Sequence, residues 1–425
     1  MQITSETSGK YDYHNALINI VEGGLWVAGA TLISSQTVLP ALVVRLGGGN
    51  VAVGALGVVT WLGFFLPQVF ASRYGQTLEW KKPWVVRFGF LQRFVLLLLG
   101  SVVLFVGGDF PSVALVLFFV LYSANQVITG VTSPVWYDFY AKLTPLSRRG
   151  RTTGIRSSVA GGVSFFGGLL LTWLLGMFLF PTNYAIVFFI AFVLQLGSVL
   201  LQTKLVEEFP SRIIARQSLD AYANQLREVL WKDVYFRKFL GAAVFLILAT
   251  TSMGFFTAYA LSQFHASETL VGGFTVTMVV GQIVGALLNG FLADRFGNQR
   301  ALISAACAML CANIAAFVVP SVGWFQAVFF LTGMNLGSEL MIRYNLVAEF
   351  SSVEQRSTYI GLMNTMLAPL YLFGIVAGWI SDAFGYQALF AFSMLFSCVG
   401  IVLLLTRVQE PRQLSRTQPV SRDGS

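Results

Sequence analysis

Charge is scarce in this chain. Only 11% of its 425 residues are Asp, Glu, Lys or Arg, and it has two histidines and three cysteines. Three thiols cannot build a disulfide framework, and Cys307, Cys311 and Cys398 all fall inside apolar stretches. Cys307 and Cys311 share a helical face, but two thiolates without further ligands make a poor metal site, so they read as small core residues. His14 and His265 lie outside the apolar stretches, where neither suits a proton relay. No Gly-rich loop ends in Gly-Lys-Ser or Gly-Lys-Thr, which argues against direct ATP drive by this chain. No nucleophile, base and orienting group cluster, so an enzyme is not expected and neither metal nor cofactor is implied. The net charge of +8 is spread without a basic stripe, and nucleic acid is not an expected partner. Residues 1–15 are polar and lack a cleavable signal pattern.

What the chain has instead is apolar length: 56% of its residues are hydrophobic. A helix needs about 20 mostly apolar residues to cross a bilayer. Twelve such stretches can be drawn, numbered here as spans 1–12: residues 17–43, 51–71, 84–106, 112–134, 155–179, 184–203, 238–261, 270–293, 300–319, 323–347, 357–380 and 386–406. With these spans, 26 of the 27 Lys and Arg residues fall on one side, and only Arg45 falls on the other. Cytoplasmic loops retain positive charge, so the expected topology has an even number of spans and both termini inside. Lipid cannot satisfy backbone groups, which leaves a helical bundle as the architecture for these spans.

The longest break between spans divides them six and six. The expected organisation is a six-helix bundle over residues 1–203, a linker over 204–237, a second bundle over 238–406, and a disordered tail over 407–425. Within the linker, Leu219, Tyr222, Leu226 and Leu230 form one stripe behind a Ser218 cap, which predicts an amphipathic helix on the inner membrane surface or across the bundle's inner face, or simply a linker helix.

The halves echo each other. Tyr137-Asp138-Phe139-Tyr140-Ala141-Lys142-Leu143 aligns with Tyr344-Asn345-Leu346-Val347-Ala348-Glu349-Phe350 without a gap. Ala71-Ser72-Arg73-Tyr74-Gly75-Gln76, after span 2, parallels Ala293-Asp294-Arg295-Phe296-Gly297-Asn298, after span 8. Duplicated halves are a common transporter device, with a substrate site at their interface.

Gly290-Phe291-Leu292-Ala293-Asp294-Arg295-Phe296-Gly297-Asn298-Gln299-Arg300 resembles the signature loop of the major facilitator superfamily. The resemblance extends over the chain through span count, repeat and central loop. The copy after span 2 departs from the signature, with Gln68 in place of Gly and Ser72 in place of Asp. Leu66-Pro67-Gln68 through Lys81-Lys82-Pro83, followed by Gln92-Arg93, resembles a bacterial subgroup whose substrates are not generally defined. The implied fold is all-α and membrane-embedded, with twelve transmembrane helices in two pseudo-symmetric six-helix bundles.

The resemblance also implies a conformational latch. Asp294 would meet the start of span 5, near Thr152 to Arg156. Arg295 and Arg300 would bind carboxylates or carbonyls, while Gly290 and Gly297 would permit close helix approach and a tight turn. With Ser72 in the first copy, the matching latch would be weaker or carried by Glu79.

Spans 1, 4, 7 and 10 line the central cavity in this superfamily. Their mid-depth residues Gln36, Asn125, Gln126, Thr251 and Asn335 are candidates for binding substrate or for bridging helices by hydrogen bonds. Four charged residues within spans, Glu22, Arg93, Glu339 and Arg343, are candidates for ion coupling or an inner gate. Glu339 and Arg343 are one helical turn apart and can pair. Glu22 and Glu339 are the acids that could carry a proton, and their alternative role is an inner-gate salt bridge.

No midplane pair of basic residues is evident, which argues against organic phosphates and dicarboxylates. The aromatic supply, including Trp26, Trp61 and Tyr122, suits an uncharged or amphipathic organic solute. The expected function is secondary active transport, as an efflux permease of the bacterial inner membrane. The expected partners are lipid, a small-molecule substrate and protons, with the chain as a monomer. The rival readings are a passive facilitator and a non-transporting receptor or scaffold.

Overall fold

A computed structural model describes residues 11–211, 213, 227–351 and 355–410. Among these residues there is no strand, and each of the twelve expected spans is helical. Ten contain helices long and apolar enough to cross a membrane. The other two are broken in the middle. Span 1 is Asp12–Leu32 followed by Val38–Arg45, and span 10 is Phe325–Leu336 followed by Glu339–Phe350.

The breaks have local causes. Between the two parts of span 1 lies the run Ser34-Ser35-Gln36-Thr37. There the Ser34 hydroxyl accepts from the Gln36 backbone N–H at 3.4 Å, offering the main chain an alternative to the helical ladder. Span 10 breaks at Gly337-Ser338, where the chain lies against span 8 so closely that a Cβ on Gly337 would sit 2.2 Å from the Gln282 carbonyl oxygen. Small residues of this kind let membrane helices approach backbone to backbone.

Spans 4 and 5 are longer than hydropathy predicts. They run Pro111–Leu143 and Leu146–Met177, joined only by Thr144-Pro145. Hydropathy fades where polar side chains begin, but helical hydrogen bonds do not require apolar side chains. What stops span 4 is Pro145, which disfavours the helical conformation at the residue before it. Thr144 is accordingly extended.

The chain divides into two compact units. One comprises Met1–Gly48, Val59–Arg216 and Ser267–Val276; the other comprises Gly49–Val58, Gln217–Ala266 and Thr277–Ser425. The first turns of span 2 therefore belong to the second unit, and those of span 8 to the first. In the first unit, a Cβ on Gly272 would lie 2.4 Å from Thr172 Cα. In the second, a Cβ on Gly54 would lie 1.9 Å from the Gly374 carbonyl oxygen, and one on Gly378 would lie 2.5 Å from that of Asn50. Asn50 also donates to Asp382 and accepts from the Tyr386 hydroxyl, at 2.9 and 2.6 Å.

Each unit wears apolar side chains outward. Leu179 and Phe105 in the first unit, and Leu287 in the second, are at least 70% exposed. With ten spanning-length helices, this surface makes the chain an integral multi-pass membrane protein.

The start of the central connection docks on the first unit. The Asn15 side chain donates to the Val206 carbonyl at 3.0 Å and accepts from the Val206 N–H at 2.9 Å. The buried Glu207 carboxylate accepts from the backbone N–H groups of Lys81 and Lys82, capping span 3, and from Lys142 Nζ at 2.7 Å. Of the amphipathic helix expected from Ser218, residues 227–232 are helical; 218–226 lie outside the described residues, as does the tail from residue 411.

Candidate functional site: a buried charge network in the first unit

Span 1 carries Asn15, Asn19 and Glu22 at spacings of four and three, and span 6 carries Gln195, Ser198 and Gln202 at three and four. Each set occupies one helical face. All six residues are buried. Glu22 Oε2 accepts from Ser198 Oγ and Gln202 Nε2, both at 3.1 Å. Its other oxygen meets Arg156 Nη2, from the start of span 5, at 3.3 Å.

Arg156 is held on several sides. Its Nε donates to the Asn19 carbonyl at 3.1 Å, and its guanidinium lies over the Trp136 ring at 4.7 Å and the Tyr140 ring at 5.7 Å. Such placements add a cation–π contribution to the ion pair. Gly23 makes the approach possible, because a Cβ there would lie 2.1 Å from Arg156 Nε.

Arg93 enters from span 3. Its Nε donates to the Gln195 carbonyl at 3.0 Å, and its Nη1 to Gln92 Oε1 at 2.6 Å and the Gly89 carbonyl at 3.2 Å. Arg93 and Glu22 interact electrostatically. Burying charge is costly unless it is paired and hydrogen-bonded, and this cluster supplies both pairing and hydrogen bonds.

Beside these charges lies a cavity of about 200 Å³. Glu22, Arg93 and Arg156 reach it together with the aromatic side chains Trp26, Phe64 and Trp136. The charged side chains lining it are thus two guanidinium groups and one carboxylate.

The structure brings Glu22 and Arg93 together and supplies Arg156 as the cation paired with Glu22. Glu339 and Arg343 belong to the second unit, where Arg343 Nε and Glu339 Oε1 are 3.4 Å apart. Of the five substrate-binding candidates, Gln36, Asn125 and Gln126 belong to the first unit and Thr251 and Asn335 to the second. Asn125 Nδ2 donates to the Gln92 carbonyl at 3.2 Å, and Asn335 Nδ2 to the Ala305 carbonyl at 2.9 Å, so both amides bridge helices. Gln36 lies in the break of span 1, Gln126 lies against Gly63, and Thr251 occupies a 3-10 turn in span 7.

The signature loop differs from expectation in detail. Gly297 does make a tight turn, with φ +97°, and the Glu410 carboxylate packs against it and accepts from the Gln299 N–H at 2.9 Å. Gly290 does not serve close packing, since a Cβ there would meet nothing within 4 Å. Among the described residues Arg295 and Arg300 form no ion pair with a carboxylate; their guanidinium groups lie 5.4 and 5.8 Å from the Phe296 ring centre. Asp294 has no ion pair or hydrogen bond among the described residues and lines a groove with Glu349 and Arg356.

Sequence reasoning missed Arg156, Trp136, Gln195, Ser198 and Gln202 as parts of a site. The signal was the pair of matching polar stripes on spans 1 and 6, each costly to turn toward lipid and therefore suited to facing the other.

The sequence and the fold have known relatives. The sequence profile of the Major Facilitator Superfamily matches residues 239–423. A putative niacin/nicotinamide transporter, NiaP, of Bacillus subtilis (strain 168) is 30% identical over 135 residues, covering 31% of this chain and 34% of that protein. The 4-hydroxybenzoate transporter PcaK of Pseudomonas aeruginosa is 27% identical over 167 residues, covering 38% of this chain and 37% of that protein. The matches thus span about a third of the length of these curated relatives. The crystal structure of a D-xylose-proton symporter superposes with a TM-score of 0.69 at 14% identity, covering 95% of this chain and 99% of that one. At that identity the likeness is one of fold.

Proposed function

We propose that the chain is a member of the Major Facilitator Superfamily, whose profile matches residues 239–423, and a secondary active transporter moving a small organic solute with protons across a bacterial cytoplasmic membrane, both termini facing the cytoplasm. The observation that carries the proton coupling is the Glu22–Arg156 pair at 3.3 Å beside a cavity that could admit a solute. Glu22 is the proton carrier. Its charge is held by Arg156 and two neutral donors, so a change in the position of Arg156 alters the balance between the carboxylate and the carboxylic acid.

Two directions are open to such a site. Exchange of solute for protons gives export, the direction read from the sequence. Co-transport gives import, and one observation favours it: protonating Glu22 removes the anionic partner of Arg156 and frees that guanidinium for a solute. The printed names of two relatives, a niacin/nicotinamide transporter and a 4-hydroxybenzoate transporter, support a solute built on a single ring.

The test is flux in proteoliposomes under an imposed pH gradient, with a panel of ring-bearing and aliphatic solutes. Concentrative movement that a protonophore abolishes is expected, and its sign against the gradient separates export from import. Equilibration indifferent to the gradient would make the protein a passive facilitator. Binding without flux would make it a receptor.

A further inference from the structure

We propose that the cavity beside Glu22 is a binding site for a planar monocarboxylate, with its carboxylate on Arg93 and Arg156 and its ring against Trp26 and Trp136. This deepens the transport reading and rests on it for biological meaning, but binding can be measured without flux.

Charge selects a monoanion. Two guanidinium groups and one carboxylate leave the lining one positive charge in excess when Glu22 is ionised. A single negative charge neutralises that excess, whereas a dianion would leave a buried charge uncompensated. The arginines also have donors to offer. The hydrogen bonds of Arg93 use Nε and Nη1, and those of Arg156 use Nε and Nη2. The remaining Nη group of each makes no hydrogen bond among the described residues. A planar guanidinium fork matches carboxylate geometry.

The rest of the lining disfavours a sugar-like ligand. Thr129 Oγ1 already accepts from Gln92 Nε2 at 2.7 Å and donates to the Asn125 carbonyl at 2.7 Å. Thr132 Oγ1 donates to the Ile128 carbonyl, also at 2.7 Å. With those two hydroxyls engaged, Ser133 and Tyr137 carry the other hydroxyls of the lining, and most of the remaining wall is indole and phenyl surface against which a flat ring packs. Size sets a further limit, because about 200 Å³ is below the roughly 300–1,000 Å³ typical of drug-sized ligand sites. One ring with a carboxylate matches all three properties.

Proton and anion should then bind cooperatively. The charged and titratable groups facing the ligand are Glu22 from span 1, Arg93 from span 3, Tyr137 from span 4 and Arg156 from span 5, while span 6 presents the neutral Gln202 and backs Glu22 with Ser198. Protonating Glu22 removes the acid that competes with the ligand for Arg156.

The experiment is equilibrium binding to the purified full chain in detergent. Radiolabelled benzoate, nicotinate and 4-hydroxybenzoate are compared with benzamide, nicotinamide and 4-hydroxybenzamide. At least one acid is expected to bind tenfold or more tightly than its amide, and more tightly at pH 5.5 than at pH 8 (about, in each case). Arg156→Gln and Arg93→Gln should each weaken the acid tenfold or more and leave the amide unchanged. Trp136→Leu should weaken both. Arg156→Lys, which keeps the charge and loses the fork, and Gly23→Ala, which displaces an intact Arg156, should also weaken the acid, so the proposal does not depend on one variant folding. Equal binding of acids and amides, absence of acid binding, or acid binding indifferent to all the arginine variants and Gly23→Ala would overturn it. Flux of neutral solutes without acid binding sinks this inference alone. Acid binding without flux of any solute supports it and sinks the transport reading.

Discussion

Gly23 and Arg156 share one space: the position a Cβ on Gly23 would take lies 2.1 Å from Arg156 Nε. The missing side chain on span 1 leaves room for the guanidinium to cross that helix and reach Glu22. Gly23→Ala is therefore expected to displace Arg156 more than it disturbs the helix. Overpacking of this kind costs about 1–3 kcal/mol. Solute flux should fall about tenfold at matched membrane abundance, the equivalent of about 1.4 kcal/mol. Full flux would show that the placement of Arg156 does not matter.

Glu22→Gln keeps the shape of the network and removes its titrating group. Concentrative transport driven by a pH gradient should be lost, while solute exchange at equal concentrations on both sides persists. Counterflow and gradient-driven uptake, measured on the same vesicles, separate these two outcomes. Equal loss of both would mean that Glu22 serves structure rather than coupling.

Glu207 holds the start of the central connection to two backbone N–H groups and one lysine. Hydrogen bonds to a charged group contribute more than neutral ones, about 1.5–3 kcal/mol each when effective. Glu207→Ala should destabilise the first unit by about 2–4 kcal/mol, since it also leaves Lys142 without its carboxylate. A lowered Tm in detergent is the readout, and Glu207→Gln should recover part of the loss.

The two signature glycines should respond oppositely. Gly297→Ala meets a strained φ of +97° and the Glu410 carboxyl group at 2.4 Å. The backbone term alone costs about 1–3 kcal/mol. Gly290→Ala meets open space within a helix, where alanine is favoured by about 0.8–1 kcal/mol. Thermal unfolding of the two variants should therefore move in opposite directions.

Asp294→Asn should leave Tm unchanged, because the carboxylate has no ion pair or hydrogen bond among the described residues. Reduced flux with unaltered stability and insertion is the expected signature of a latch used in another conformation. Unchanged flux at matched abundance would remove Asp294 from the mechanism.

Much of the fold was legible because hydrocarbon thickness imposes a length on every apolar run. Helix ends were less so. The stop of span 4 is set by Pro145, so the helix runs to Leu143, nine residues past the end at 134 that hydropathy gave. The break in span 10 depends on how close Gly337 lies to Gln282, a tertiary fact that a single glycine does not announce. The site was half legible. Glu22 and Arg93 stood out as charges inside apolar runs, while Arg156 was counted with the loop charges because it begins a span. Its reach across Gly23 joins residues 133 positions apart in sequence, beyond any local pattern.

The contact between Gly54 and Gly374 has a thermodynamic character of its own. Two backbones meet there without side chains, so no rotamer freedom is spent when the surfaces touch and none returns when they part. The charge near this seam is that of Asp382, which accepts from the neutral Asn50 amide. Its strength should follow shape rather than pH or ionic strength, a joint indifferent to both.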